Sequence, residues 1–312
     1  LFPSTVEEAF SLLYRSYTIR RARRNQWHPT LSFDWKSIDK LDEAELQIVE
    51  GFYAVEAFVP DYGAKLTELT RKMYGRSHFH LIWAAEETQH SEAWRNVLLF
   101  SGYKSDAELN QLNRELMEQE WMLPYDTPIG MILYTVLQER ATDVIYREFT
   151  HALANRRDDP TYASHSLVTK VARQIASDET RHYAFFLQGA FAYLFFDLKQ
   201  TTATLAEVLK TFRMPAADAI PFYDEFIKQL YGLDVFGPRK YKEEVVDTVF
   251  KALTIPMDEF RHYRKTGEMP AGLWVPRVAE LFQRIVDRAA EELLSATRDQ
   301  HPVLAVAGKS GS

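Results

Sequence analysis

A chain of 312 residues, 46% hydrophobic and 13% aromatic, is long enough to bury a sizeable core, as one large domain or two. The absence of cysteine excludes disulfides, zinc ribbons, iron–sulfur clusters and thiol catalysis, so any metal must be held by oxygen and nitrogen ligands. A net charge of −7 argues against general nucleic-acid binding, because phosphate contacts need a basic surface.

Apolar residues recur at helical spacing and glycine is scarce, which predicts an all-α fold. Residues 4–24 carry Phe10, Leu13, Tyr14 and Tyr17 on one side and end in Arg20, Arg21, Arg23 and Arg24. That basic end reads as a solvated helix terminus, where cations suit the dipole, or as a docking patch for an acidic partner. Trp27-His28-Pro29 breaks the helix. A helix from about 42 to 72 carries Glu56, with Tyr53 and Val59 on the same face, and Pro60 predicts a kink one turn after Glu56. The next, from about 75 to 101, carries Glu87 and His90 and stops at Ser101-Gly102. Residues 106–121 form an amphipathic helix closed by Pro124. A helix from about 129 to 154 carries Glu139, a polar turn follows over 155–160, and a helix from about 161 to 197 carries Glu179 and His182.

Prolines at 215, 221, 238, 256, 270 and 276 punctuate shorter helices beyond. The expected organisation is one domain over 1–312: a core bundle at about 40–200, capping helices at about 201–298 and a loose tail at 302–312. The longest apolar passage, 185–196, is interrupted by Gln188 and too short to span a bilayer, so no transmembrane segment is expected. No signal-peptide pattern opens the chain, and Leu1 in place of Met suggests that it begins inside its gene product. A soluble, cytoplasmic protein is expected, or a stromal one were the source a plant plastid.

Glu87/His90 and Glu179/His182 each place a carboxylate and an imidazole one turn apart on one helix face. Glu56 precedes the first pair by 31 residues (56 to 87), and Glu139 precedes the second by 40 (139 to 179). Each gap accommodates the rest of one helix, a turn and the start of an antiparallel neighbour. Four helices would thus present four carboxylates and two histidines to one point, the arrangement of a dinuclear metal site in a bundle. Such a ligand set without thiolate suits iron or manganese, and bound cations would relieve the repulsion among buried carboxylates. A single Glu-x-x-His pair is weak evidence, and two more occur here. Glu148 is nine residues past Glu139 on the same helix, half a turn out of phase at about 100° per residue, so Glu148/His151 is assigned to the surface. Glu259/His262 has no companion carboxylate helix and is assigned likewise. Asp178 is expected to orient an imidazole.

In these residues the chain resembles the soluble acyl-acyl-carrier-protein desaturases, a ferritin-like di-iron family. The matching stretches are Glu56-Ala-Phe-Val-Pro60, Trp83-Ala-Ala-Glu-Glu-Thr-Gln-His90 followed by Phe100-Ser-Gly102, Gln138-Glu-Arg-Ala-Thr142, Ala176-Ser-Asp-Glu-Thr-Arg-His182 and Met214-Pro215. The resemblance implies a ferritin-like helix bundle with extra capping helices, in which Glu56, Glu87, His90, Glu139, Glu179 and His182 hold two iron ions. It implies that Thr142 faces the oxygen-binding side and helps deliver protons, and that Trp27, Asp178 and Arg181 form a hydrogen-bonded electron route through His90. It implies O2-dependent desaturation of an acyl chain on acyl carrier protein, ferredoxin as electron donor, and a homodimer. The Arg20–Arg24 cluster is one candidate landing site for the acidic carrier protein.

Two positions depart from the family pattern. Asp143 stands where an apolar or aromatic residue is usual; it either points away to pair with a basic neighbour or adds a carboxylate beside the cluster, which would favour a hydroxylase or N-oxygenase. Thr180 replaces the lysine of plant members, so the carrier surface differs. Two further rivals are a radical-storing subunit, with Tyr53 and Tyr146 on the ligand faces, and an iron-storage protein. The latter is opposed by the chain length, the capping region and the match at Trp27, Asp178 and Arg181.

Overall fold

The computed structural model describes residues 2–24, 26–157, 161–268 and 274–300, and all regular structure among the described residues is helical. In order these are α1 (Val6–Ala22), a 3-10 turn (Trp35–Ser37), α2 (Glu43–Glu56), α3 (Val59–Leu69), α4 (Tyr74–Phe100), α5 (Asp106–Leu116), α6 (Pro128–Arg156), α7 (Tyr162–His165), α8 (Leu167–Phe196), α9 (Leu198–Thr211) and α10 (Tyr223–Gly232). After them come α11 (Pro238–Lys240), which continues through a π turn (Tyr241–Val246) into α12 (Asp247–Ala252), then α13 (Met257–Thr266) and α14 (Trp274–Gln300). The tail expected at 302–312 lies outside the described residues.

Local chemistry sets the helix ends. Asp42 caps α2 and Glu45 reaches back to it, a reciprocal box that satisfies two free amides; Ser105 and Glu108 repeat the device at α5. Thr127 caps α6 ahead of Pro128, whose missing N–H is harmless in the first turn. Gly102, at φ 74°, supplies the left-handed residue that ends α4.

Three boundaries differ from the sequence expectation. The helix expected over 42–72 is two helices: α2 stops at Glu56, and α3 begins at Val59 with Pro60 in its first turn, so the proline starts a new helix where a kink was expected. The helix expected over 106–121 ends at Leu116. The one expected from 161 is broken at Ser166, which caps α8 by accepting from the Thr169 amide while its hydroxyl donates to Asp39, 2.8 Å away. Part of the polar turn expected at 155–160 lies outside the described residues.

α2 packs along α4, and α6 along α8, with α1 laid across α4 and α8. α14 covers α1 and α8, α9 covers α6 and α8, and α10 covers α2. Two apolar clusters fill the bundle. The first half of α2 shares one cluster with the second half of α4, and the first half of α8 shares it with the second half of α6, so both pairs are antiparallel. The opposite halves make the other cluster with α1, α3, α9 and α14. Between the two clusters the middle of the bundle is charged. No helix among the described residues is long and apolar enough to cross a membrane.

Candidate metal centre

Glu56 is the last residue of α2; Glu87 and His90 come from the middle of α4, Glu139 from α6, and Glu179 and His182 from α8. All six are at most 5% exposed. Ligand-type atoms of Glu56, Glu87, His90 and Glu179 lie within 4.8 Å of one another, and so do those of Glu87, Glu139, Glu179 and His182. Glu87 and Glu179 belong to both groups. The geometry is therefore two adjacent positions sharing two carboxylates, each completed by one further carboxylate and one imidazole.

The way these atoms fail to satisfy one another tests whether a metal would fit. His182 Nδ1 lies 2.9 Å from Glu87 Oε1, yet neither atom has a hydrogen bond, and Glu139 Oε2 and both carboxylate oxygens of Glu179 are also unpartnered. Buried polar atoms are normally paired, since leaving one unmet costs about 1–3 kcal/mol. Atoms that approach closely without aligning on each other are arranged as ligands converging on a shared third atom are. The donor set of carboxylate oxygens and imidazole nitrogens suits hard or borderline cations, so these residues fit a pair of metal ions.

Each imidazole is braced from behind by the opposite helix. His90 Nε2 lies 3.3 Å from Asp178 Oδ2 of α8, and Asp178 also accepts from Trp27 Nε1 at 2.8 Å and from the Arg181 guanidinium. The Trp27 and His90 rings stack, 11° from parallel. Symmetrically, His182 Nε2 lies 2.9 Å from Glu86 Oε2 of α4. Glu86 in turn accepts from Tyr17 Oη at 2.7 Å and Arg21 Nε at 2.6 Å. The expected contacts among Trp27, Asp178, Arg181 and His90 are thus all present. Glu86, Tyr17 and Arg21 were not anticipated. The signal for Glu86 is the repeat itself, Glu86-Glu87-x-x-His90 against Asp178-Glu179-x-x-His182, with an acidic residue before each inner glutamate. The basic end of α1 is correspondingly less free than expected, because Arg21 pairs with Glu86 and Arg20 with Glu292 of α14.

Burial and neighbouring charge shift the groups of the cluster in opposite directions. Burial, followed by repulsion from Glu87, pushes the Glu56 carboxyl well up; burial and then Glu179 do the same to Glu139. Burial opposes charge on Glu87 too, but His90 and His182 outweigh it and hold that carboxyl low. Burial would lower both histidines, yet the surrounding carboxylates, Glu87 foremost, raise them well above the ordinary value.

Thr142 lies one turn after Glu139, its hydroxyl donating to the Gln138 carbonyl at 2.9 Å. It lines two cavities. The outer, about 310 Å³ and predominantly apolar, lies among α2, α6, α10 and the 212–214 segment; the inner, about 30 Å³, touches Glu56 and Glu87. Tyr146 Oη donates to Glu56 Oε1 at 2.5 Å while its ring walls the outer cavity. Asp143 points away from the cluster, accepting from Arg140 at 2.5 Å, Arg147 at 2.6 Å and Thr180 at 3.1 Å. The two surplus Glu-x-x-His pairs lie apart from the cluster. Glu148 bonds the exposed His151 and the Lys240 ammonium, and the exposed His262 faces Glu268, 3.5 Å away.

An all-helical bundle enclosing a paired carboxylate–histidine cluster is the ferritin-like architecture, and known proteins share it. Residues 51–302 match the family model described as fatty acid desaturase, and the chain belongs to that family. It is 27% identical over 197 residues to DesA1 of Mycobacterium tuberculosis, whose name assigns it to the acyl-[acyl-carrier-protein] desaturases; the match covers 60% of this chain and 53% of that protein. The chain thus spans about half the length of the curated relatives it matches. Among solved structures it superposes on DesA2 of M. tuberculosis H37Rv, named as an acyl-ACP desaturase, with a TM-score of 0.57 and 17% identity over 82% of this chain and 98% of that one.

Proposed function

We propose that this chain is an O2-dependent di-iron desaturase that introduces a double bond into an acyl chain carried on acyl carrier protein, with Glu56, Glu87, His90, Glu139, Glu179 and His182 holding the two irons. The observation that carries the reading is the convergence of six buried side chains, four of which (Glu87, Glu139, Glu179 and His182) turn unpartnered atoms toward one another, near an apolar cavity. When bound, the irons supply the reduction of O2 and the oxidising power needed to break unactivated C–H bonds.

The protein's own residues do the rest. The apolar outer cavity takes up the chain and excludes water from it. Thr142, on the walls of both cavities, holds a hydroxyl where a proton can pass toward the cluster. Asp178 and Glu86 fix each imidazole with its Nδ1 toward the centre, and Trp27 connects the first brace to the protein's exterior. Ferredoxin is the electron donor in this reading, and the protein is a homodimer. Since Asp143 is engaged by two arginines away from the cluster, it lends nothing to a hydroxylase or N-oxygenase.

The test is mass spectrometry of acyl carrier protein loaded with a long saturated chain, after incubation with the iron-reconstituted protein, ferredoxin, its reductase and O2. Loss of two hydrogens is expected. A gain of one oxygen would replace desaturation by hydroxylation. An unchanged chain with O2 consumed would retain the metal centre and remove this substrate. Sedimentation as a large cage would favour iron storage instead.

A further inference from the structure

The two cavities are unequal, and their order along the path decides where a chain can be oxidised. Val55 of α2 and Thr142 of α6 stand in the walls of both, and the consecutive residues Met214 and Pro215 border the outer and the inner one respectively. The two cavities therefore abut at these three elements, and a chain entering the outer one would reach the inner one between them. None of the six cluster residues borders the outer cavity, whereas Glu56 and Glu87 border the inner one. Chemistry at the cluster acts on what the inner cavity holds.

The inner cavity measures about 30 Å³. At the 10–15 Å³ that one water-sized group requires, it has room for about two or three methylene or methyl groups. The rest of its wall includes Leu66, Trp121, Met131 and Tyr134, all buried, which cap it in this reading. The cap is firmly built: Trp121 packs edge-on against Tyr62 with ring centroids 4.8 Å apart, and its backbone amide donates to Asp61 at 2.8 Å. A close-packed cap of this kind yields little to an added methylene. The outer cavity, ten times larger, holds the body of the chain.

Resting on the desaturase reading above, we infer that the bond oxidised lies at the methyl end of the acyl chain, within about its last three carbons, because the space beside Glu56 and Glu87 ends there. In this step one C–H bond breaks on each of two adjacent carbons and a C=C bond forms between them. The two hydrogens, with two electrons from a one-electron donor protein and two protons from solvent, carry O2 to two waters. Position is then measured from the chain's end, and chain length is absorbed in the outer cavity.

The experiment supplies a series of saturated chains differing by two carbons, each on acyl carrier protein, and maps the double bond by mass spectrometry. A constant distance from the methyl end is expected, within about three carbons of it. A constant distance from the thioester, or a longer saturated tail beyond the double bond, overturns the inference. Met131→Ala, with Leu66→Ala as the second variant should the first not fold, deepens the cap and should move the bond inward by about one carbon; an unmoved bond counts against the inference. A second readout is independent of turnover: a chain brominated on its terminal carbon, presented on the same carrier, should quench the emission lost in Trp121→Phe. If no chain is oxidised yet the quench is seen, the desaturase reading fails and the seating of the chain end stands. If oxidation occurs without the quench, the seating fails alone.

Discussion

Glu86 and Asp178 carry no metal ligand's role, yet each holds the Nε2 of a histidine that belongs to the opposite helix. Removing such a brace typically lowers metal affinity about 10–100-fold. Glu86→Ala is therefore expected to weaken metal binding by that order, read by competition with a chelator, while the ligand set is untouched. The opposite result is expected at Asp143. Its carboxylate joins Arg140, Arg147 and Thr180, so Asp143→Ala should leave metal stoichiometry at two and lower stability by about 1.5–3 kcal/mol, the loss associated with charged hydrogen bonds. Denaturant unfolding together with metal analysis separates the two effects. The convergence of the six cluster residues was legible in the sequence because a helix converts a spacing of three into one face. Glu86 was not, since its function depends on which helix lies opposite, and spacing within one helix does not report that.

At the scale of elements, the helices were legible and several of their boundaries were not. Pro60 fits a kink or a fresh start equally well in sequence, and the structure takes the fresh start, breaking the chain at Ala57 and Phe58 while both α2 and α3 pack on α4. The position of α1 was hidden for a different reason: its amphipathic pattern shows that it packs, without showing against what. It lies so close to α4 that a Cβ on Gly75 would come within 2.2 Å of the Phe10 carbonyl oxygen. The obstacle is backbone and cannot rotate aside. Gly75→Ala should therefore push α1 outward, costing about 1–3 kcal/mol as overpacking does, and should also loosen metal binding, because Tyr17 and Arg21 travel with α1. Phe10→Ala, which removes packing without moving the backbone apart, is the comparison; metal affinity should fall further in Gly75→Ala at equal loss of stability.

Across the whole molecule, a charged layer between two apolar clusters makes the metal-free protein sensitive to pH in a defined direction. Glu56 and Glu139 have folded-state values raised well above the unfolded ones, so they bind protons on folding, and stability falls as pH rises above about 4.3. His90 and His182 are also raised; their contribution is complete below about 6.5 and is lost as pH climbs through their folded values. Glu87, whose value is lowered, acts in the reverse sense only at more acid pH. All four raised groups agree in sign, so the melting temperature of metal-free protein should drop from pH 5 to pH 8. Metal, which replaces these protons, should flatten that slope; equal slopes with and without metal would count against the six-residue site. The match to the family model begins at residue 51, yet Tyr17, Arg21 and Trp27, which hold the two histidine braces, all precede it. The six cluster residues and the groups that hold their braces thus belong to separable stretches of chain. Under the proposed function, exchanging the N-terminal stretch would redirect the supply of electrons and protons while all six cluster residues stayed in place, and a chain trimmed to the matched segment would keep the six and lose the groups behind both braces.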